Sequence, residues 1–465
     1  MLKVYNTLTK RKVEFKPQKF QEVKMYSCGV TVYDHCHIGH GRSLFTFEVI
    51  RRYLRYKGFG VKFVRNITDV DDKIINKARQ FSKEKKISIC EAFNEVKQTY
   101  IDSYYEDLKS LNIPPADVEP LATENIPQMS EFIRNLIDKG FAYEREGSVY
   151  FSIRKFAHYG KLSGRKIDDL FSAVRIEPNI SKKDPLDFVL WKRKKEDEPS
   201  WNSSFGEGRP GWHIECSSMA LEFLGETLDI HGGGGDLIFP HHENEIAQSE
   251  SLTGKPFSLY WLHHGLITIE REKMAKSLGN FVILKEILKN YHPESLKLFY
   301  LSGHYASALD FSPAKLSEYS RERERLYIVY DRIKDVEILP LKHERLIKLK
   351  DEFERAMDDN LNFSQAKSVL FSISSFLFSL GIGDSLLGEI KNLFFSIGSI
   401  FSLFENQSLP NQEFKNYIEE KILQRKNLRE ERKYLEADKI REGQLEKGII
   451  LEDLSDGTTI WRIRR

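Results

Sequence analysis

The chain has 465 residues, of which 40% are hydrophobic and 30% are charged, and its formal net charge is +2. This balance excludes a disordered chain and suits roughly two to four globular domains, while the charge does not by itself indicate a nucleic-acid partner. No apolar stretch approaches the roughly 18 residues of a membrane span, and the N-terminus has no signal-peptide pattern. We therefore expect a cytoplasmic protein whose four cysteines are free thiols or metal ligands rather than disulfides.

The first predicted elements form a βαβ unit. Val23–Cys28 predicts a short buried strand, and Gly29–Gly41 is a loop rich in His and Gly. Ser43–Lys57 carries apolar residues at helical spacing, and Val61–Ile67 predicts the next strand. This order is typical of the first half of a doubly wound nucleotide-binding sheet.

The following part of the chain changes character, which predicts an insertion up to about Pro210. A long amphipathic helix, Ser88–Leu111, precedes it, and a helical, heavily charged region begins at about Ser312. The other predicted elements are helices at Gln128–Lys139 and Glu243–Leu252 and strands at Ser148–Ile153, Thr227–His231 and Gly265–Ile269.

The predicted fold class is α/β: a doubly wound Rossmann-like nucleotide-binding domain with an insertion, followed by an α-helical bundle and a small C-terminal α+β segment. The predicted boundaries are 1–115 for the first half of the catalytic domain, 116–210 for the insertion, 211–311 for the second half, 312–410 for the bundle and 411–465 for the C-terminal segment.

Two short motifs suggest phosphate chemistry. His37-Ile38-Gly39-His40 lies at the start of a predicted helix, where two imidazoles can donate hydrogen bonds to a triphosphate and Gly39 allows close approach. Lys273 and Lys276 lie three positions apart on a later loop, where they can stabilise charge on a transferring phosphate. Either motif alone is compatible with an ordinary surface loop.

A third set of residues has the donor types of a zinc site. His241 and Glu245 are four residues apart and can share a helix face, and Cys28 and Cys216 add two thiolates. Each residue by itself is compatible with a structural role. We assign no site to Cys36 or to Cys90, which lies on an ordinary predicted helix. The glycines from Gly232 to Gly235 are either a flexible loop or a place where an adenosine approaches the backbone.

The paired His and Lys loops resemble the HIGH and KMSKS signature of class I aminoacyl-tRNA synthetases, with Ala275 in place of the usual serine. Three segments resemble one family, the cysteinyl-tRNA synthetases: Tyr26–Asp34, with Val30 where proline is common, Gly208–Cys216 and Asp229–Glu245. The likeness extends over nearly the whole chain and is weaker near 362–405.

This resemblance implies a set of roles. Zinc is held by Cys28, Cys216, His241 and Glu245. ATP, with Mg²⁺, is bound by His37, Gly39, His40, Gly232, Gly233, Asp236 and Lys276, and the catalytic charges are on His37, His40, Lys273 and Lys276. The cysteine pocket is lined by Trp212, His231, Thr31 and Thr68. The helical region and the C-terminal segment read the anticodon of tRNA(Cys), and the protein is expected to be a monomer. In that segment Asp456, Trp461 and Arg462 offer groups for stacking and hydrogen bonding to bases, while Trp461 is equally compatible with closing a small C-terminal core.

The implied reaction joins L-cysteine to AMP and then to the 3′ end of tRNA. A zinc ion binds a thiolate but binds a neutral serine hydroxyl poorly. A hydrophobic pocket would distinguish cysteine from serine by only roughly 1–3 kcal/mol. We find no obvious general base and no need for an editing domain. Two alternatives are open: a cysteine–amino sugar ligase of the same lineage, which would not need the region after Ser312, and a non-catalytic zinc RNA-binding protein.

Overall fold

The computed structural model describes residues 1–167, 182–274, 279–380, 385–405, 412–447, 449–453 and 458–463. The chain forms two compact units. The first comprises Met1–Leu316 with Asp351–Lys367, and the second comprises Ser317–Lys350 with Ser368–Arg465.

The first unit contains strands and helices in alternation. Its strands are β1 (Lys3–Asn6), β2 (Arg11–Glu14), β3 (Glu22–Ser27), β4 (Gly60–Arg65), β5 (Ala142–Arg145), β6 (Ser148–Phe151), β7 (Phe188–Arg193), β8 (Gly208–Pro210), β9 (Leu228–Gly234), β10 (Ser258–His264), β11 (Ile267–Ile269), β12 (Glu272–Lys273) and β13 (Leu309–Phe311). Its helices are α1 (Ile38–Tyr56), α2 (Asp72–Lys85), α3 (Ile89–Ser110), α4 (Ile126–Asp138), α5 (Trp212–Leu224), α6 (Glu243–Thr253), α7 (Leu284–Asn290) and α8 (Pro293–Tyr300). Short helical turns lie at Ala122–Glu124, Ile153–Lys155, Gly235–Leu237 and Ile238–His242.

A four-stranded parallel sheet is the centre of this unit. Its strand order is β10–β9–β3–β4, and Tyr26 of β3 pairs with His231 of β9. The register places the carboxyl ends of β3 and β9 side by side, where ligands bind in open parallel sheets. The expected strand at Gly265–Ile269 is not part of this sheet: β10 takes that place, and β11 pairs with β12 and β13 instead.

The helix after β3 begins at Ile38, five residues earlier than the periodicity predicts. His37 is its N-cap, and the His37 side chain accepts hydrogen bonds from the backbone N–H groups of Gly39 and His40. The early start follows from this cap, because side-chain acceptors at the N-cap satisfy N–H groups that have no partner inside the helix.

The expected insertion contains an antiparallel sheet. Strands β5, β6, β7 and β8 pair in that order, and α4 precedes β5. Antiparallel pairing needs only short connections, which distinguishes this sheet from the parallel one.

The rest of the chain is mainly helical, as predicted. It contains α9 (Pro313–Ile333), α10 (Glu344–Asp358), α11 (Phe363–Ser379), α12 (Leu387–Ile400), α13 (Gln412–Glu430), α14 (Tyr434–Glu446) and the hairpin β14 (Ile449–Asp453) with β15 (Thr459–Ile463). Within the described parts of the chain, none of the helices combines the length and apolar character required to cross a bilayer.

Candidate functional site: a cavity beside a buried thiol and imidazole cluster

One cavity of about 330 Å³ lies at the carboxyl ends of the parallel strands and brings several of the expected site residues together. Those on its wall are Cys28, Thr31, His37, Gly39, His40, Trp212, Asp236 and Lys273. The cavity thus joins residues expected to bind an amino acid to residues expected to bind ATP.

The two histidines of the first motif stack on each other at the start of α1, with ring centroids 3.7 Å apart. The Nδ1 atom of His37 accepts from the backbone N of Gly39 at 3.0 Å and of His40 at 3.2 Å, and Nδ1 of His40 lies 3.4 Å from the backbone N of His37. Since both Nδ1 atoms accept, each Nε2 carries the ring proton of the neutral form. Burial lowers the pKa of His37 to about 4 and places that of His40 well below its usual range.

This geometry changes how the helix start can meet a phosphate. The backbone N–H of Ile38 donates to Val282 O, and those of Gly39 and His40 donate to His37. These N–H groups are therefore already satisfied by the protein. A bound anion would meet the positive end of the helix dipole and neutral imidazole N–H groups.

The second motif is partly described. The Nζ atom of Lys273 lies 3.7 Å from Asp236 Oδ2, with both side chains substantially exposed. Lys276 and Ala275 lie outside the described residues. The cavity wall also includes Gly234, the third glycine of the run from Gly232 to Gly235.

The four expected metal ligands converge in the structure. Ligand atoms of Cys28, Cys216, His241 and Glu245, all buried, lie within 4.8 Å of one another. The two sulfurs are 3.6 Å apart, and His241 Nε2 is 3.0 Å from Glu245 Oε1. Tetrahedral zinc with ordinary bond lengths needs about 3.8 Å between two sulfurs and about 3.3 Å between nitrogen and oxygen.

Neighbouring side chains hold two of these ligands in orientation. His231 Nε2 lies 2.7 Å from Glu245 Oε2, so that Oε1 faces the cluster. His213 Nδ1 lies 2.9 Å from His241 Nδ1, which leaves the buried Nε2 of His241 facing Glu245 Oε1 at 3.0 Å. Metal-binding histidines generally have their other ring nitrogen hydrogen-bonded in this way.

Electrostatics within the cluster favour the ionised forms of Cys216 and Glu245, whereas burial raises the pKa of the Cys28 thiol well above its usual range. Although burial disfavours the thiolate, the Cys28 thiol and His241 lower the pKa of Cys216 to about 6. Burial likewise favours neutral Glu245, but His231 and His241 hold the pKa of this carboxyl well below its usual range. The donor set and its spacing fit a zinc ion.

A second set, Cys28, His231, His242 and Glu245, also has its ligand atoms close together. Its histidines are already engaged. His231 Nε2 contacts Glu245, while His242 contacts Cys28 Sγ at 3.3 Å through Nε2 and His263 Nε2 at 2.8 Å through Nδ1. The set containing Cys216 and His241 is therefore the better metal site.

Four expected binding residues do not line the cavity. His231 is fully buried and holds Glu245, and Thr68 donates to Glu215 Oε2 at 3.0 Å. Gly232 and Gly233 lie inside β9. A Cβ on Gly232 would lie 2.5 Å from both Leu262 O and the Phe47 ring, so this glycine is required by packing rather than by a nucleotide.

Other residues on the wall were missed by the sequence interpretation. Lys73 of α2 extends over the Tyr33 ring with Nζ 4.8 Å from the centroid, and His264 ends β10. Neither belongs to a motif with recognisable spacing, so no local signal could have identified them. Cys36 is buried and Cys90 is exposed, and neither belongs to a candidate metal cluster of the described residues.

The expected anticodon residues are only partly described. Trp461 packs against the small cluster of Ile418, Ile449 and Leu451, and Lys334 Nζ lies 5.9 Å from its ring centroid. Arg462 is in β15, and Asp456 lies outside the described residues. Trp461 thus contributes to the C-terminal core.

Comparisons with known proteins identify the family of this chain. Residues 14–321 match the family model described as tRNA synthetases class I (C) catalytic domain. A cysteine–tRNA ligase of Thermodesulfovibrio yellowstonii is 47% identical over 498 residues and covers 100% of both chains. Another, of Methanococcus maripaludis, is 43% identical and covers 99% of each chain.

Solved structures show the same fold. Mycobacterium tuberculosis methionyl-tRNA synthetase in complex with methionyl-adenylate has a TM-score of 0.56 at 13% identity, covering 82% of this chain and 89% of that one. A LeuRS–tRNA complex from Agrobacterium radiobacter has a TM-score of 0.59 at 11% identity, covering 84% and 85%. The predicted fold class is confirmed, and the full-length matches disfavour both the amino sugar ligase and the non-catalytic protein. The chain belongs to the class I aminoacyl-tRNA synthetases, in the family of the cysteine–tRNA ligases.

Proposed function

We propose that this enzyme activates L-cysteine with ATP and Mg²⁺, forming cysteinyl adenylate and pyrophosphate, and transfers the cysteinyl group to the 3′ end of tRNA(Cys). We place it in the cytoplasm as a monomer. The main support for the proposal is that Cys28 and the pair His37 and His40 lie on the wall of the same cavity. A substrate thiol at one end and a triphosphate at the other would meet in this cavity.

The residues at the ATP end act through fixed hydrogen-bond donors and charge. His37 and His40 present neutral Nε2–H groups, because both Nδ1 atoms accept from the backbone. Lys273 and Lys276 supply positive charge to the transferring phosphate. We assign no side chain as general base, since positioning and charge stabilisation can account for the adenylation step.

The residues at the cysteine end discriminate by sulfur chemistry. Cys28, Cys216, His241 and Glu245 would hold one zinc ion, which binds a thiolate but is a poor site for a neutral serine hydroxyl. Trp212 stacks on His241 with ring centroids 4.3 Å apart and lines the cavity, so it covers the cluster on the substrate side. Thr31 lines the same end.

We assign tRNA contacts to the second unit and to the C-terminal segment. Anticodon bases are generally read by stacking on aromatic or Arg planes together with edge hydrogen bonds, and Asp456, Trp461 and Arg462 offer such groups. Because Trp461 also packs on the C-terminal core, only part of its ring would be available for stacking.

Amino-acid-dependent ATP–pyrophosphate exchange tests the activation step with all twenty amino acids. Cysteine should support exchange and serine should not. Exchange that is independent of cysteine would refute the proposed substrate.

Elemental analysis tests the metal site. The purified chain should contain about one zinc, as one four-ligand site implies. Cys216→Ser should lose most of the metal and the activity, whereas the exposed Cys90→Ser is the matched control and should keep both. Active protein without zinc would refute the selection mechanism.

A further inference from the structure

The start of α6 and the irregular turn before it carry two of the proposed metal ligands. His241 belongs to the turn Ile238–His242, and Glu245 follows it in the first turn of α6. Phe239 has non-helical backbone angles, and the N-cap residue His242 makes no side-chain hydrogen bond to the helix start. The regular hydrogen bonds of α6 therefore do not by themselves fix the position of His241 relative to Glu245.

A loop of the insertion, residues 159–165, is fastened to this segment through Glu243. This residue lies between the two ligands in the sequence and is fully buried. Its Oε1 accepts from the backbone N of Gly160 at 2.9 Å and of Leu162 at 3.4 Å, and its Oε2 accepts from the backbone N of Ser163 at 2.8 Å. Backbone N–H groups that converge on one anion stabilise a carboxylate that would otherwise be costly to bury.

Two further contacts join the same loop to the ligand-bearing segment. The Tyr159 hydroxyl donates to Asn244 Oδ1 at 2.6 Å, and both side chains are buried. The Arg165 guanidinium lies over the Phe239 ring, 4.3 Å from its centroid. The loop therefore contacts the chain on both sides of His241.

We propose that Glu243 is a positioning residue, which holds His241 and Glu245 at metal-binding distance by fastening their segment to the insertion loop. Glu243 contributes no ligand atom. Because the loop and the metal stabilise the same arrangement of this segment, each strengthens the binding of the other. The inference rests on the proposed zinc site, and it gives the insertion a part in metal binding.

Zinc affinity of the full-length protein, measured by competition with a chromophoric chelator, is the first test. Glu243→Gln keeps the length of the side chain but replaces one acceptor oxygen with an amide donor that faces a backbone N–H. Its zinc affinity should fall by about 10–100-fold, the range for residues that orient metal ligands. Lys161→Met is the matched control, because Lys161 joins the same loop to α6 at Glu250, more than a helical turn beyond Glu245. It should keep the wild-type affinity.

Hydrogen exchange measures the reciprocal effect without an activity assay. In wild type, removal of zinc should speed the exchange of the loop amides of Gly160, Leu162 and Ser163, which donate to Glu243. In Glu243→Gln these amides should exchange rapidly both with and without zinc. A contribution of Glu243 to folding alone would not make the loop respond to zinc.

Wild-type zinc affinity in folded Glu243→Gln, an equal loss in Lys161→Met, or wild-type loop amides that do not respond to zinc would each overturn the inference. If Glu243→Gln does not fold, Tyr159→Phe decides. It removes one hydrogen bond from the same loop and should lower zinc affinity by about 2–12-fold, and unchanged affinity would again overturn the inference. Wild type that binds no zinc would refute the proposed metal site as well, whereas the other outcomes refute this inference alone.

Discussion

His37 caps α1 and is proposed to act on the phosphate, and two substitutions should separate these two roles. Nδ1 caps α1 through two backbone N–H groups, at 3.0 and 3.2 Å, while Nε2 is left for a phosphate. His37→Ala removes both functions. His37→Asn removes Nε2 but supplies a side-chain oxygen that is among the best N-cap acceptors.

The expected magnitudes differ in kind. Loss of an N-cap costs about 1 kcal/mol of unfolding free energy, and loss of one transition-state donor slows a reaction by about 10²–10³-fold. His37→Ala should therefore show both effects. The unfolding free energy of His37→Asn should be within a few tenths of a kcal/mol of the wild-type value, whereas its adenylate formation should still be slower than that of wild type.

Urea unfolding and cysteine-dependent pyrophosphate exchange measure the two effects on the same preparations. Ser88→Ala is the matched control: Ser88 caps α3 by accepting from the backbone N of Glu91 at 3.2 Å, and it is not on the cavity wall. It should lose about 1 kcal/mol without loss of rate. A His37→Asn variant with the wild-type rate would show that His37 acts on the reaction only as a cap.

Four further outcomes are expected. The pKa of His37 is about 4 in the folded chain and about 6.5 in the unfolded chain, so the unfolded state binds more protons than the folded state below pH 6.5. In urea unfolding, wild type should therefore lose about 2 kcal/mol more unfolding free energy than His37→Asn between pH 7 and pH 5. Equal losses in the two proteins would contradict a buried, neutral His37 ring. Gly232→Ala should lower the unfolding free energy by about 1–3 kcal/mol, because the added Cβ meets Leu262 O and the Phe47 ring. The KM for ATP of the folded protein should be unchanged. A raised KM would indicate that Gly232 contacts the nucleotide after all. Lys276→Ala should slow pyrophosphate exchange by about 10²–10³-fold with cysteine binding little changed. Ala275→Ser should have a modest effect on the rate, because it alters neither lysine charge. A normal rate in Lys276→Ala would show that another residue stabilises the charge on the transferring phosphate. Truncation before Gln412 should preserve exchange but sharply reduce tRNA charging through weaker binding, and full charging would show that the tail does not read the anticodon.

Several features were predictable because they depend on short stretches of chain. Helical spacing predicted α1, and the four-residue separation predicted that His241 and Glu245 approach each other, which they do at 3.0 Å. The His-Ile-Gly-His motif and the strand before it predicted a phosphate site at a helix start. Such patterns record local geometry, which covalent spacing largely determines.

Only the tertiary structure decided which side chains share a site. The resemblance implied that Cys28 and Cys216 share a site, but the physical cause of their meeting across 188 positions is tertiary, because the fold places the end of β3 beside α5. Gly232 and Gly234 look alike in the sequence, yet one packs against Phe47 and the other opens onto the cavity. His264 lies on a strand that the sequence interpretation missed. The physical reason is that strand register and sheet order determine these contacts, and both depend on partners distant in the chain rather than on neighbouring residues.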